Sequence, residues 1–164
     1  MWKNLPMTEE KLKAGELAPT FKIETLSGEV SSTALLEDAQ KGLVVYFYPK
    51  AGTPGCTTEA CDFRDNLNTL KSAGYTVIGV STDSLAALQK FQDKQHLNFL
   101  LGSDPDHEVA DQFHTWGKKV AFGKVNIGMI RSTFVIDKDG RLALAQYNVR
   151  AKGHVARLKD QLGL

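Results

Sequence analysis

Residues 46–65, YFYPKAGTPGCTTEACDFRD, hold both cysteines of the chain and set how the flanking elements must be arranged. An apolar run from Leu43 to Tyr48 stops at Pro49, a turn of Lys50, Ala51 and Gly52 follows, and Thr53-Pro54 opens a helix. Thr53 suits the N-cap and Pro54 the first helical position, where its missing N–H would find no partner anyway. The proline also biases Thr53 toward the extended geometry that an N-cap needs. From Cys56 in the first turn, Ala60, Phe63, Leu67 and Leu70 follow at steps of four, three, four and three, which is one apolar stripe of an amphipathic helix. Cys56 therefore faces inward, while Cys61 lies about 100° around the axis from Ala60, off that stripe.

A thiol in the first helical turn has unpaired backbone N–H groups and the positive end of the macrodipole beside it, and both favour thiolate over thiol. The help is bounded at about 2 kcal/mol in favourable geometry. Burial opposes it, so an inward thiol needs a cation as well. The spacing of the second cysteine matters equally. Five residues of α-helix separate Cα atoms by roughly 8 to 9 Å, whereas a disulfide requires about 7 Å or less. A bond between Cys56 and Cys61 therefore requires the first turns of the helix to unwind.

The run Pro49-Lys50-Ala51-Gly52-Thr53-Pro54-Gly55-Cys56 resembles the PxxxTxxC active-site signature of the peroxiredoxins, and Arg131-Ser132-Thr133-Phe134 resembles their downstream arginine motif. A second cysteine five residues on is similar to the peroxiredoxin Q branch, also called bacterioferritin comigratory protein. The likeness covers the chain from about Ala18 to the C-terminus. It implies a thioredoxin-like fold with peroxiredoxin additions and reduction of hydrogen peroxide or organic hydroperoxides. In that reading Cys56 is the peroxide-attacking thiol, Cys61 the resolving thiol, Thr53 a hydrogen-bonding partner of the peroxide oxygens, Arg131 the charge stabiliser and Pro49 a shield against water. The resemblance further implies recycling by thioredoxin or a similar dithiol, with no metal or organic cofactor.

Composition bounds the rest. The 164 residues make one ordinary domain with a core of its own, expected as a loosely held arm (1–16) and a folded body (17–164). The 42% hydrophobic and 24% charged content is that of a soluble globular protein. Lys and Arg number 20 against 19 Asp and Glu, so the balance gives no reason to expect nucleic acid or an anionic membrane as a partner. No apolar stretch is long enough to span a bilayer, and the polar N-terminus is unlike a secretory signal. The expected location is the cytoplasm, as a monomer or weak dimer. Two cysteines in a chain of this size are no disulfide scaffold, and in a reducing compartment so close a pair points to catalysis or metal binding.

The remaining pattern is α/β, a mixed sheet between helices. Ala18 to Glu24 and the return at Val30 read as a small hairpin, and Ser31 to Ala39 as a short helix. Gly42 to Tyr48 and Tyr75 to Ser81 read as buried parallel strands. The cysteine helix ends near Gly74, a typical glycine C′, and Asp83 caps a helix bearing Leu85, Leu88 and Phe91. Asn98 to Leu101 suggests a short strand, and Asp104-Pro105 a helix over 106–113. Thr115 to Met129, with Gly117, Gly123 and Gly128 in no clear period, reads as a long functional or mobile loop. Ser132 to Ile136 and Arg141 to Tyr147 flank an Asp-Gly hairpin turn, and a last helix runs from about Gly153 to Leu162.

Each functional reading has a plainer rival. A free cysteine is most often a small buried hydrophobe, Thr53 can be no more than an N-cap and Pro49 no more than a strand terminator. Glu59 reads as a complement to the helix N-terminus. His96, His107, His114 and His154 show no metal-ligand spacing and read as solvated, as do Lys118, Lys119 and Lys124. A general disulfide oxidoreductase is disfavoured because such proteins use C-x-x-C. A non-enzymatic thiol-bearing interaction or chaperone module is the remaining alternative.

Overall fold

The computed structural model describes residues 11–121 and 123–164. From the N-terminus, β1 (Lys22–Thr25) and β2 (Gly28–Ser31) form the expected hairpin, and α1 (Ser32–Asp38), capped by the Ser31 side chain, leads to β3 (Gly42–Phe47). The cysteine helix α2 (Pro54–Ser72) returns the chain to β4 (Tyr75–Ser81), and α3 (Leu85–Gln95) returns it to β5 (Leu100–Ser103). A short α4 (Glu108–Gln112) precedes a separate hairpin of β6 (Trp116–Ala121) and β7 (Lys124–Met129). Strands β8 (Ser132–Asp137) and β9 (Leu142–Gln146) make a third hairpin, and α5 (His154–Gln161) closes the chain.

Seven strands form one mixed sheet in the order β2-β1-β5-β4-β3-β8-β9. β3, β4 and β5 run parallel, as their helical crossovers require, and β8 joins the other side of β3 antiparallel. All six residues of β3 are buried. Because successive strand side chains point to opposite faces, β3 and the following Tyr48 feed two cores. Val44, Tyr46 and Tyr48 meet Ala60, Phe63 and Leu67 of α2 with Leu158 of α5 on one face. Leu43, Val45 and Phe47 meet Val109 and Phe113 on the other. The Tyr46 ring stacks on Phe63 at 4.4 Å between centroids. It can lie flat there because its neighbour across the ladder is Gly79, where a Cβ would fall 2.8 Å from the ring. Truncating Phe63 to Ala would cost about 3–5 kcal/mol and loosen α2 from the sheet.

Several elements differ from the sequence reading. Residues 115–129 are not a loop: Trp116–Ala121 and Lys124–Met129 pair throughout. Lys124–Met129 does alternate polar and apolar residues, but Gly117, Gly123 and Gly128 give the segment a loop-like composition, and Val120, Val125 and Ile127 turn out to face solvent. Helix α3 is capped by Ser84, whose hydroxyl accepts from Ala87 N, and not by Asp83. Asp104 does cap α4, but at a distance: its carboxylate accepts from Val109 and Ala110 N, so the helix starts at Glu108 rather than just after Pro105. Strand β5 begins two residues later than expected. The end of α2 matches its signal, with Gly74 at φ +98° donating to Lys71 O. Of the expected arm, residues 1–10 lie outside the described residues, while Leu12 N donates to Tyr147 Oη at 3.0 Å and Gly15 N to Leu142 O at 2.7 Å.

Candidate active site

The turn after β3 and the first turn of α2 sit beyond the carboxyl ends of the parallel strands, where open α/β sheets place their ligand sites. Pro49, half-buried, ends β3. The turn is then tied down by Ala51 N, which donates to Asp83 Oδ2 at 2.7 Å, and the same oxygen accepts from Ser81 Oγ at 2.8 Å. Asp83, expected as a helix cap, thus anchors the segment that presents Thr53 and Cys56. Thr53 is the N-cap residue by backbone, at φ −77° and ψ 156°, yet its side chain makes no cap bond. Its hydroxyl donates back to Lys50 O at 2.8 Å, which leaves the oxygen lone pairs available as acceptors.

Cys56 is 1% exposed, on the stripe with Ala60, Phe63, Leu67 and Leu70 as the periodicity requires. The first i→i−4 bond of the helix is Thr57 N to Thr53 O, so the N–H groups of Gly55 and Cys56 have no partner within the helix. Arg131, from the segment between β7 and β8, reaches across the sheet. Its Nη2 lies 3.4 Å from Cys56 Sγ and its Nη1 donates to Glu59 Oε1 at 2.6 Å. The sequence brings Arg131 into range because β3 pairs with β8 in a register that sets Phe47 opposite Ser132. The arginine backbone is fixed in turn by Val149 N, which donates to Arg131 O at 3.0 Å.

Glu59 corrects the sequence reading. It is no surface complement to the helix dipole but fully buried, one helical turn from Cys56 on the same face. The signal was present: Cys56, Glu59, Ala60 and Phe63 follow the i, i+3, i+4, i+7 pattern. Burial pushes the Glu59 carboxyl up to about 7, against the opposing pull of Arg131. Burial also acts against the Arg131 charge, but Glu59 and Cys56 beside it prevail and hold its proton more tightly than usual. Tyr46 and Tyr48, buried in the core that contains Cys56, are driven well above their ordinary range, first by burial. They stay neutral, so neither competes for the guanidinium.

Cys61 is half-buried five residues along the same unbroken helix, and its thiol donates to Gln95 Oε1 at 3.5 Å. Both cysteines are free thiols. His154, expected in solvent, is 1% exposed, with Nε2 2.7 Å from Thr133 Oγ1. Burial and then the nearby Arg157 and Arg131 push it down to about 4, so it is neutral. Lys118 and Lys124 are exposed as expected, but Lys119 is half-buried and donates to Met129 O at 2.8 Å. Among the described residues no three His, Cys, Asp or Glu side chains are grouped to hold a metal ion, and no helix is long and apolar enough to cross a membrane.

The AhpC/TSA family model matches residues 14–145. Peroxiredoxin Bcp of Bacillus subtilis is 45% identical over 152 residues, covering 92% of this chain and 95% of that protein. Peroxiredoxin Bcp of Escherichia coli is 47% identical over 131 residues, covering 80% and 83%. Among solved structures, the Xanthomonas campestris bacterioferritin comigratory protein, described with an alkyl peroxide reduction activity, superposes with a TM-score of 0.80 at 34% identity, covering 92% of this chain and 97% of that one. A PrxQ variant from Xylella fastidiosa gives a TM-score of 0.82 at 29% identity, covering 94% and 96%.

Proposed function

Because the chain belongs to the AhpC/TSA family and is a thiol peroxidase of the Bcp/PrxQ peroxiredoxin type on a thioredoxin-like fold, we propose that Cys56 is its peroxidatic cysteine and Cys61 its resolving cysteine, acting on hydrogen peroxide and organic hydroperoxides. The observation that carries the assignment is the 3.4 Å approach of Arg131 Nη2 to Cys56 Sγ at an α-helix N-terminus. Two independent sources of positive potential then meet at one sulfur.

The chemistry follows from that placement. The thiolate of Cys56 attacks the nearer peroxide oxygen and an S–O bond forms as the O–O bond breaks. The electron pair of that bond leaves on the far oxygen, which takes up a proton to become water or an alcohol. Arg131 and the free N–H groups of the first helical turn face the charge as it grows, the kind of preorganised stabilisation that contributes most to such steps. Thr53 Oγ, already donating to Lys50 O, accepts the peroxide O–H and orients it. Pro49 keeps water from the sulfur.

The sulfenic acid on Cys56 is then attacked by the sulfur of Cys61. An S–S bond forms, the S–O bond breaks, and the departing hydroxyl leaves as water with the proton given up by the Cys61 thiol. Because the two thiols share an intact helix, α2 must unwind from its N-terminus for this step. An external dithiol of the thioredoxin class returns the two electrons and two protons. Turnover is followed as peroxide-dependent NADPH consumption with thioredoxin and its reductase. Wild type is expected to turn over, Cys56→Ser to be inactive, and Cys61→Ser to stop after one turnover unless a small thiol is supplied. Full steady-state activity of Cys56→Ser would overturn the assignment.

A further inference from the structure

The three successive carbonyls from Met129, the last residue of β7, to Arg131 each accept a hydrogen bond. Arg131 O accepts from Val149 N, Ile130 O accepts from Ser132 Oγ at 2.8 Å, and Met129 O accepts from Lys119 Nζ at 2.8 Å. Of these donors only Lys119 carries a charge, and only Lys119 belongs to the β6–β7 hairpin. Its course is built in. The aliphatic stem crosses Gly128 on the facing strand, where an added Cβ would lie 3.6 Å from Lys119 Cδ. The ammonium ends two residues before the arginine that touches the Cys56 sulfur. Burial lowers the affinity of Lys119 for its proton, and the charges of Arg131 and Cys56 both act on it, one opposing and one favouring the ammonium.

We propose that Lys119 is a positioning residue of the peroxidase reaction: by clamping the Met129 carbonyl it fixes the backbone from which Arg131 reaches Cys56 Sγ and couples the hairpin to the reacting sulfur. The proposal rests on the assignment of Cys56 and Arg131 to the reaction. It gives the hairpin, which lies outside the main sheet, a place in catalysis. Lys119 touches no reacting atom itself. Its action is transmitted through the Met129–Arg131 segment, and that makes its effect conditional on the arginine.

The test is a double-mutant cycle on the full chain in a Cys61→Ser background, with Lys119→Met, Arg131→Met and both together. Single-turnover oxidation of Cys56 by hydrogen peroxide and alkylation of Cys56 by iodoacetamide are each timed. Lys119→Met is expected to slow peroxide oxidation about tenfold where Arg131 is present, and to add nothing where Arg131 is already Met. Lys119→Arg, which keeps a cationic donor, is expected to restore most of the rate. Equal slowing in both arginine backgrounds would mean a merely structural role and would overturn the proposal, as would no slowing in either. If even the parent protein did not react with peroxide, the peroxidase assignment would fail, and the alkylation cycle would still decide whether Lys119 acts through Arg131.

Discussion

Glu59 Oε1 accepts from Arg131 Nη1 at 2.6 Å while the carboxylate is wholly buried, and the other arm of the same guanidinium lies 3.4 Å from Cys56 Sγ. The fork is thereby aimed: with one nitrogen held by the carboxylate, the other can only face the sulfur. Lysine, a point charge on a flexible stem, cannot divide itself in this way. Arg131→Lys is expected to fold and to keep a positive charge in the site, yet to lose about 100-fold in the rate of Cys56 oxidation, the loss typical of one misdirected donor. Stopped-flow measurement of sulfenic acid formation checks this, and a loss below threefold would show that the fork geometry is irrelevant.

The same pair predicts a pH signature when set against His154. Glu59 holds its proton in the folded state up to about 7, above its unfolded value, so folding binds a proton between roughly pH 4.5 and 7 and this residue's contribution to stability falls as pH rises through that window. His154 is pushed down to about 4, below its unfolded value, so its contribution is lost as pH falls from roughly 6.5 to 4. The two slopes have opposite signs over nearly the same range and largely cancel. Urea unfolding across pH 4.5 to 6.5, values taken from those windows, should show Glu59→Gln gaining stability with rising pH relative to wild type and His154→Gln losing it. Each difference is bounded at about 3 kcal/mol. Parallel profiles for all three proteins would contradict the burial argument.

How far the sequence carried these conclusions depends on whether a residue's role is local. The Thr53-Pro54 start, the Cys56 stripe and the Gly74 stop are set within one or two turns of helix, and each stands where periodicity and capping put it. Arg131 is 75 positions from Cys56, and no local pattern brings them together; only the family motif pointed there. Glu59 is legible too, because its place on the buried stripe outweighs its charge. The β6–β7 hairpin and Lys119 are obscured together: Val125, Ile127 and Met129 alternate with Lys124, Asn126 and Gly128 as in a strand, but Gly117, Gly123 and Gly128 give the segment the composition of a loop. Asp83 lies one residue before the true cap, where local pattern suggests capping, while its carboxylate serves the turn 32 residues upstream.

Disulfide formation should be visible in the helix itself. With both thiols free, α2 is continuous from Pro54, and helix geometry holds the two Cα atoms beyond the separation a disulfide spans. One equivalent of peroxide is expected to speed amide hydrogen exchange over residues 54–61 while leaving 63–72, packed through Phe63, Leu67 and Leu70, protected. Cys61→Ser treated in the same way should keep its protection throughout. An oxidised pair in a helix whose exchange is unchanged would rule out unwinding as the resolving step.

Gly55 separates stability from activity at a single position. It lies inside the first turn of α2, where glycine is about 1 kcal/mol less favourable than alanine, so helix propensity alone argues for Gly55→Ala. A Cβ there would sit 3.3 Å from Arg131 Nη2 and 3.8 Å from Ala151 Cβ. The guanidinium is the softer neighbour, but it is held on its other side by Glu59, so the methyl group displaces the nitrogen that faces the sulfur. Gly55→Ala is expected to raise the unfolding midpoint by a few degrees, in line with a gain below about 1 kcal/mol, and to slow peroxide oxidation of Cys56 by about tenfold. Thermal melts and single-turnover kinetics on the same preparation measure both. A variant that gained stability and kept the full rate would show that the space beside Gly55 is not what lets Arg131 reach Cys56.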